Sequence, residues 1–203
     1  LMIVILNLNS GNLEALKNAV KNCGHDCIIS HPNEISKSAT HIILPGVGNY
    51  NSSMNFLKAK EYVNPIIEFV KLGKPVLGIC LGMQLLSSFG SEPDKTSGLD
   101  LIYGEVSRIQ TDLPLPHVGW NEVKFIKDHK ILTDIPNNSD FYFVHSSSFK
   151  VKNLENVYST TKYGKDFCSI ASYKNIFAVQ FHPEKSQKKG LKLIKNFCNW
   201  NGL

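Results

Sequence analysis

Apolar residues along this chain gather in short runs, and the spacing within the runs changes from one half to the other. Residues 3–8 form a nearly unbroken apolar run closed by Asn9-Ser10-Gly11, the pattern of a buried strand. A helical pattern follows, with Leu13, Leu16, Ala19 and Val20 on one face and Gly24 placed to end it. Residues 26–30 and 41–44 read as the second and third strands, the third broken sharply by Pro45-Gly46-Val47-Gly48. Helical stretches are predicted over 54–61 and 65–72, an apolar strand over 76–79, and a further helix over 80–89. Such alternation implies βαβ units with right-handed crossovers on a parallel sheet.

From about Gly98 the pattern turns strand-rich, with strands predicted over 101–108, 122–126, 141–145, 157–162, 168–172 and 176–181. A closing amphipathic helix is predicted over 187–200, with Leu191, Ile194, Phe197 and Cys198 on its apolar face. No linker, low-complexity stretch or internal repeat interrupts the chain, so residues 1–203 read as one domain.

Composition narrows the class. The 203 residues, 42% hydrophobic and 19% charged, are ordinary for a globular protein. The formal charge of +5 raises the question of nucleic acid, but Arg108 is the single arginine and the lysines are scattered. Readers of bases and phosphates lean on arginine forks and clustered basic stripes. The densest lysine run, 185–195, is punctuated by apolar residues and reads as the wet face of one helix. Five cysteines, with no Cys-x-x-Cys pair, speak against a disulfide framework and against zinc. Residues 1–6 lack a positive leader region and no stretch is long enough for a membrane span, so a cytoplasmic protein is expected. Leu1 ahead of Met2 reads as an addition before the natural start.

Three short segments carry chemistry. Gly78-Ile79-Cys80-Leu81-Gly82 places a cysteine between small residues at a strand-to-helix turn, the arrangement of a nucleophile elbow. The helix N-terminus behind it favours thiolate. The same pentapeptide also describes a buried cysteine beside packing glycines. Phe181-His182-Pro183-Glu184 follows the last apolar strand, and on an extended segment His182 and Glu184 point the same way. Glu184 then orients a histidine that serves Cys80 as a base. Leu44-Pro45-Gly46-Val47-Gly48 gives N–H groups that converge on a point, a candidate oxyanion hole in which each well-placed donor is worth about 3–4 kcal/mol. Taken alone, a simple tight turn is the better reading.

Gly-Ile-Cys-Leu-Gly-Met-Gln (78–84) and Phe-His-Pro-Glu (181–184), in that order across the chain, resemble the class I glutamine amidotransferases. Leu-Pro-Gly-Val-Gly (44–48), Leu-Pro-His-Val-Gly-Trp-Asn-Glu-Val (115–123), Tyr-Phe-Val-His-Ser (142–146) and His-Pro-Glu-Lys-Ser (182–186) are similar to the branch of glutaminase subunits serving imidazole glycerol phosphate synthases. The resemblance implies an α/β fold of flavodoxin-like type: a mixed central sheet flanked by helices, with a strand-rich C-terminal half. It implies Cys80 as nucleophile, His182 as base and then acid, and Glu184 as the orienting carboxylate. Gly46, Val47, Gly48, Gln84, His145 and Ser146 correspond to residues around the substrate glutamine. His117, Trp120, Asn121, Tyr142 and Lys185 correspond to a partner interface and gate, although a hydrogen-bonded structural histidine describes His117 as well.

The implied reaction hydrolyses L-glutamine to glutamate and passes ammonia to a (β/α)₈-barrel cyclase subunit in a heterodimer, in histidine biosynthesis. A barrel needs about 250 residues, more than this chain holds, so the acceptor chemistry belongs to a separate subunit. No metal, cofactor, nucleic acid or membrane is called for. Two other readings stand beside this one at the level of sequence: a paralogue feeding ammonia to amidination of a surface sugar, and a stand-alone γ-glutamyl cysteine hydrolase. The chain departs from the family pattern at Asn9-Ser10-Gly11-Asn12, one glycine short, at Asn49-Tyr50-Asn51, and at Ser147-Ser148 where an aromatic is common.

Overall fold

Strands whose every residue is apolar need cover on both faces, and in this protein that cover comes from two helical layers. The computed structural model describes residues 2–35, 37–91 and 94–203. Leu1, read above as an addition, lies outside them. The order is β1 (Ile3–Leu6), α1 (Leu13–Asn22), β2 (Cys27–Ser30), β3 (His41–Leu44), α2 (Tyr50–Ala59), α3 (Val63–Lys71), β4 (Val76–Ile79) and α4 (Leu81–Leu85). Then come β5 (Phe89–Gly90), β6 (Thr96–Ser97), β7 (Gly104–Arg108), β8 (His117–Phe125), β9 (Ser139–His145), β10 (Ser147–Val151), β11 (Val157–Tyr163), β12 (Lys165–Tyr173), β13 (Ile176–Val179) and α5 (Gln187–Asn199).

The large sheet runs β2-β1-β3-β4-β13-β12-β11-β8-β9. Its first five strands are parallel and the rest continue antiparallel, so β13 joins the two regimes. A small sheet, β10-β7-β5-β6, packs beside it. Alternation along the strands sorts the core. Val4, Leu6, Ile42 and Leu44 meet Met54 and Leu57 of α2, Ile66 and Phe69 of α3, and Val106 and Phe149 of the small sheet. Ile3, Ile5, Ile43 and Leu77 meet Leu16 and Val20 of α1 and Leu193, Ile194 and Phe197 of α5. Phe197 is fully buried, so its truncation to alanine costs about 3–5 kcal/mol.

This is the mixed α/β sheet expected, with differences at particular elements. The helix predicted over 80–89 stops at Leu85 because the Leu85 and Leu86 carbonyls accept from Leu99, Leu101 and Ile102, and the chain turns out into β5. The helix predicted from residue 54 begins at Tyr50, where the Asn49 side chain accepts from the Ser52 amide at 3.0 Å. Tyr50 is buried in the hollow that Gly90 and Gly98 leave, since a Cβ at Gly90 would strike its ring. The strand predicted over 122–126 begins at His117 and pairs with β9 along its length, from His117↔His145 to Val123↔Ser139. Strands β5, β6 and β10 have no apolar run and were not predicted. The opening that is one glycine short is accommodated at Asn9, which takes the left-handed φ of +54° that asparagine tolerates.

Among the described residues no helix is long and apolar enough to cross a membrane. The lysine-rich face of α5 is exposed, and Lys192 pairs with Asp134 at 2.7 Å.

His129 packs against Phe177, Trp200 and Tyr158, and its Nδ1 accepts from the Ile131 amide at 3.1 Å. Burial lowers its pKa to about 4. Between the ordinary value near 6.5 and about 4 the unfolded chain therefore holds the extra proton, and stability is lost as pH falls through that window. The melting temperature should drop between pH 6.5 and 4. His129→Asn, which keeps a cap acceptor and does not titrate, should make that drop shallower in thermal melts; an unaltered slope would refute the assignment.

Candidate active site

Cys80 and His182 meet because β4 and β13 are parallel neighbours with Ile79 opposite Val179. Cys80 is the first residue past β4, and its amide donates to the Val179 carbonyl at 2.8 Å. His182 leaves the next strand at the same end. The side chains thus converge at the carboxyl edge of the parallel strands, where open α/β sheets place their ligand sites.

The turn at Cys80 is strained, with φ +53° and ψ −110°. A non-glycine residue held there costs about 1–3 kcal/mol and persists only where its surroundings enforce it. Here they do. A Cβ at Gly82 would overlap the Leu44 carbonyl oxygen, and one at Gly78 would come within 2.8 Å of Leu86 and 3.0 Å of the Met83 backbone. The glycines therefore allow α4 to lie hard against β3 and β4, and the tight approach lifts Cys80 out of the sheet. The elbow reading of the pentapeptide describes this geometry better than a packed cysteine. The helix behind the thiol spans only five residues, so its dipole is smaller than a helix over 80–89 implied.

His182 Nδ1 lies 2.8 Å from Glu184 Oε1, with both side chains nearly buried. The predicted extended segment is only half right. His182 is extended, but Pro183–Lys185 forms one 3-10 turn that folds the carboxylate back on to the ring. The main chain is clamped from β9: the His182 amide donates to the Tyr142 carbonyl at 2.8 Å, and Ser186 Oγ donates to the His182 carbonyl while accepting from the Tyr142 amide at 3.0 Å. Burial alone would lower the His182 pKa. The charge of Cys80 and the charge and hydrogen bond of Glu184 outweigh it and raise the value to about 9. Five buried side-chain N or O atoms lack a hydrogen-bond partner among the described residues, and two of them are His182 Nε2 and Glu184 Oε2. Concentration of unsatisfied polar atoms at one place is typical of a working site.

An open cleft of about 560 Å³ lies over Cys80. Val47, Gly48, Gln84, His145 and Ser146 line it. Gly46 stands behind the wall and presents its carbonyl, which accepts from the Leu81 amide at 3.3 Å. The Leu81 amide beside Cys80 is thus already engaged, the reverse polarity of the donor role read for Gly46. Gln84 is buried, and its Nε2 donates to the Ser147 carbonyl at 2.9 Å and to Gln180 Oε1 at 3.0 Å. Only its Oε1 is left for a ligand, so Gln84 can serve as an acceptor but not a donor.

The five residues grouped as an interface divide in two. Trp120 and Tyr142 stand edge to face at 6.1 Å, with Lys185 Nζ 5.8 Å from the Tyr142 ring, and Trp120 is half exposed. His117 and Asn121 lie on the opposite face of β8. His117 is buried between Tyr163 and Phe143, and its Nδ1 meets His145 Nε2 at 2.9 Å. The structural account of His117 is the one its surroundings support. Burial lowers both histidines to about 4.

Sequence reasoning missed Arg108, Tyr50, Ser91 and Pro116 in the cleft, and Gln180 beneath it. Two signals were present: Arg108 is the single arginine, and Gln180 is a polar residue inside an apolar run. Burial pushes Cys168 and Cys198 up to about 12 and raises Cys23 and Cys27.

Comparison with known proteins matches the profile of glutamine amidotransferase class-I to residues 4–200. The chain is 42% identical over 196 residues to imidazole glycerol phosphate synthase subunit HisH of Moorella thermoacetica, covering 96% of this chain and 93% of that one. It is 43% identical over 196 residues to the HisH subunit of Blochmanniella pennsylvanica, covering 96% and 97%. Among solved structures, PurLQS from Thermotoga maritima shares the fold at a TM-score of 0.76 and 15% identity, over 98% of this chain and 97% of that one.

The raised pKa of His182 makes a prediction. Its folded value lies above the ordinary 6.5, so its contribution to stability is complete below about pH 6.5 and is lost as pH rises through about 9. Glu184→Gln should lower the His182 titration midpoint in NMR and shrink the loss of melting temperature between pH 6.5 and 9. A midpoint that stays near 9 would show that Glu184 does not hold the charge.

Proposed function

The chain belongs to the class-I glutamine amidotransferase family, and we propose on that premise that it is the glutaminase subunit of an imidazole glycerol phosphate synthase. The observation that carries the reading is the strained Cys80 turn beside the buried His182–Glu184 pair, at the floor of an open cleft. Identity above 40% with HisH subunits over nearly the whole chain supports the pathway.

In the proposed reaction the Cys80 thiolate attacks the side-chain amide carbon of L-glutamine. His182, cationic at neutral pH with its pKa near 9, gives its proton to the departing ammonia. The neutral ring then takes a proton from water, which attacks the γ-glutamyl thioester, and collapse releases glutamate and the thiolate. Gln84 offers its oxygen to a donor on the substrate. Arg108 and Lys185 line the cleft and suit the substrate's α-carboxylate.

Ammonia released into neutral water becomes unreactive ammonium, so the product must pass directly to a partner. We assign that partner as the (β/α)₈-barrel cyclase, in a cytoplasmic heterodimer that makes imidazole glycerol phosphate and AICAR. The exposed Trp120 and Lys185 and the half-buried Tyr142 beside the His182 turn suit its docking. The engaged Leu81 amide supports a low rate for the isolated subunit, because the oxyanion has one donor fewer until that contact opens.

In the reconstituted complex, Cys80→Ala should abolish glutamine-dependent turnover, by at least about 10³-fold, and leave ammonia-dependent turnover at the wild-type rate. Equal loss of both would overturn the assignment. Purified alone, the wild-type chain should hydrolyse glutamine more slowly than in the complex; partner-independent turnover at the full rate would contradict the docking argument.

A further inference from the structure

Beneath the cleft, hydrogen-bond polarity runs in one sense from backbone carbonyls to the nucleophile. The Ser147 carbonyl only accepts, and it receives both His145 Nδ1 at 2.9 Å and Gln84 Nε2 at 2.9 Å. Gln84 must therefore turn its amide nitrogen inward, and its second hydrogen goes to Gln180 Oε1 at 3.0 Å. That forces the Gln180 nitrogen to the other side, where Nε2 lies 3.7 Å from Cys80 Sγ. No freedom remains to flip either amide without opposing two carbonyl oxygens or two N–H groups. The same accounting fixes the histidines: His145 Nε2 accepts from His117 Nδ1, whose Nε2 accepts from Asn121 Nδ2, itself held by the Lys162 carbonyl at 3.0 Å.

We infer that Gln180 is a further catalytic residue, whose side-chain N–H donates to the Cys80 sulfur and stabilises its thiolate. Gln180, next to Phe181, is fully buried, so its side-chain amide is shielded from water. As a thiol, Cys80 has its own acceptor, the Val144 carbonyl at 3.7 Å. The Gln180 contact is thus useful chiefly to the charged form, and a hydrogen bond to the charged form favours it. Unlike His182, which gives up its proton to ammonia, the amide donates at every step, including when sulfur leaves the thioester. Gln84 and the Ser147 carbonyl act through Gln180 and are positioning groups in this respect.

The inference deepens the glutaminase reading, yet its main test needs no glutamine. The test is the pH dependence of Cys80 alkylation by iodoacetamide on the full chain, followed by mass spectrometry. The titratable groups facing the thiol are His182, with Glu184 behind it, and His145 from β9; Arg108 and Lys185 stand on the cleft walls. Gln180→Leu removes the donor. Gln180→Glu keeps an oxygen for Gln84 and turns the donor into an acceptor, which preserves the packing. Both should shift the alkylation midpoint upward, by about one pH unit, a tenfold lower thiolate fraction at a given pH. With glutamine, in the complex, kcat should fall about tenfold to a hundredfold with KM within about threefold. An unshifted alkylation profile overturns the inference, as does a loss confined to KM, or failure of both variants to fold, which would make Gln180 a packing residue. A shifted profile in a protein without glutamine turnover would sink the glutaminase reading and leave the role of Gln180 intact.

Discussion

The pairing of β4 with β13 is the contact on which the rest depends. The two strands lie far apart in sequence, and their parallel register, Ile79 against Val179, brings the ends of both to one edge of the sheet. Side chains alternate with period two, so a slip of one residue would exchange core and opposite faces along the whole strand. Register is protected by burial on both faces: Ile79 and Val179 join α1 and α5 in one core cluster, while Val76 and Ala178 join the other. Core packing here sets the distance between the Cys80 thiol and the His182 ring.

Strain at Cys80 is the local counterpart of that constraint. The positive φ is sustained because Gly78 and Gly82 admit Met83, Leu86 and the Leu44 carbonyl to distances any side chain would forbid. Relaxing the turn would require α4 to move away from β3, opening voids in a cluster that includes Leu44, Met83 and Leu86. The cost of the turn is offset by close packing on the far side of the sheet from the chemistry. His182 shows the same division of labour, its backbone clamped to Tyr142 by main-chain and Ser186 contacts while its Nε2 stays unsatisfied.

Much of this was legible in the sequence, and the parts that were not share a cause. Strands β3 and β4 were read residue for residue because each is a short apolar run with glycine or proline at its edge. Cys80, His182 and Glu184 stood out because each sits in a short motif whose spacing has a chemical meaning. Strand β10 was invisible: Ser147-Ser148 has no apolar period, and its state is set by pairing with Arg108 and Ser107 of β7. The early end of α4 likewise depends on acceptance from residues 99–102. The cleft residues Arg108 and Ser91 arrive through the same small sheet. Contacts distant in sequence leave no local periodicity to read.

The departures from the family pattern turn out to be of unequal consequence. Asn9 and Asn49-Tyr50-Asn51 are absorbed locally, by a left-handed asparagine, a helix cap and a hollow made by two glycines. Ser147 is different, because its contribution to the site is the backbone carbonyl rather than the side chain. That oxygen accepts from His145 and Gln84 at once, and so fixes the direction of every hydrogen bond from Asn121 to the Cys80 sulfur. A side-chain change at 147 leaves the carbonyl in place provided β10 keeps its register on β7. The position can therefore lose an aromatic without disturbing the polarity at the Cys80 thiol. What the strand cannot tolerate is displacement: a shift of Ser147 would release Gln84, and Gln84 is what turns the Gln180 amide toward sulfur.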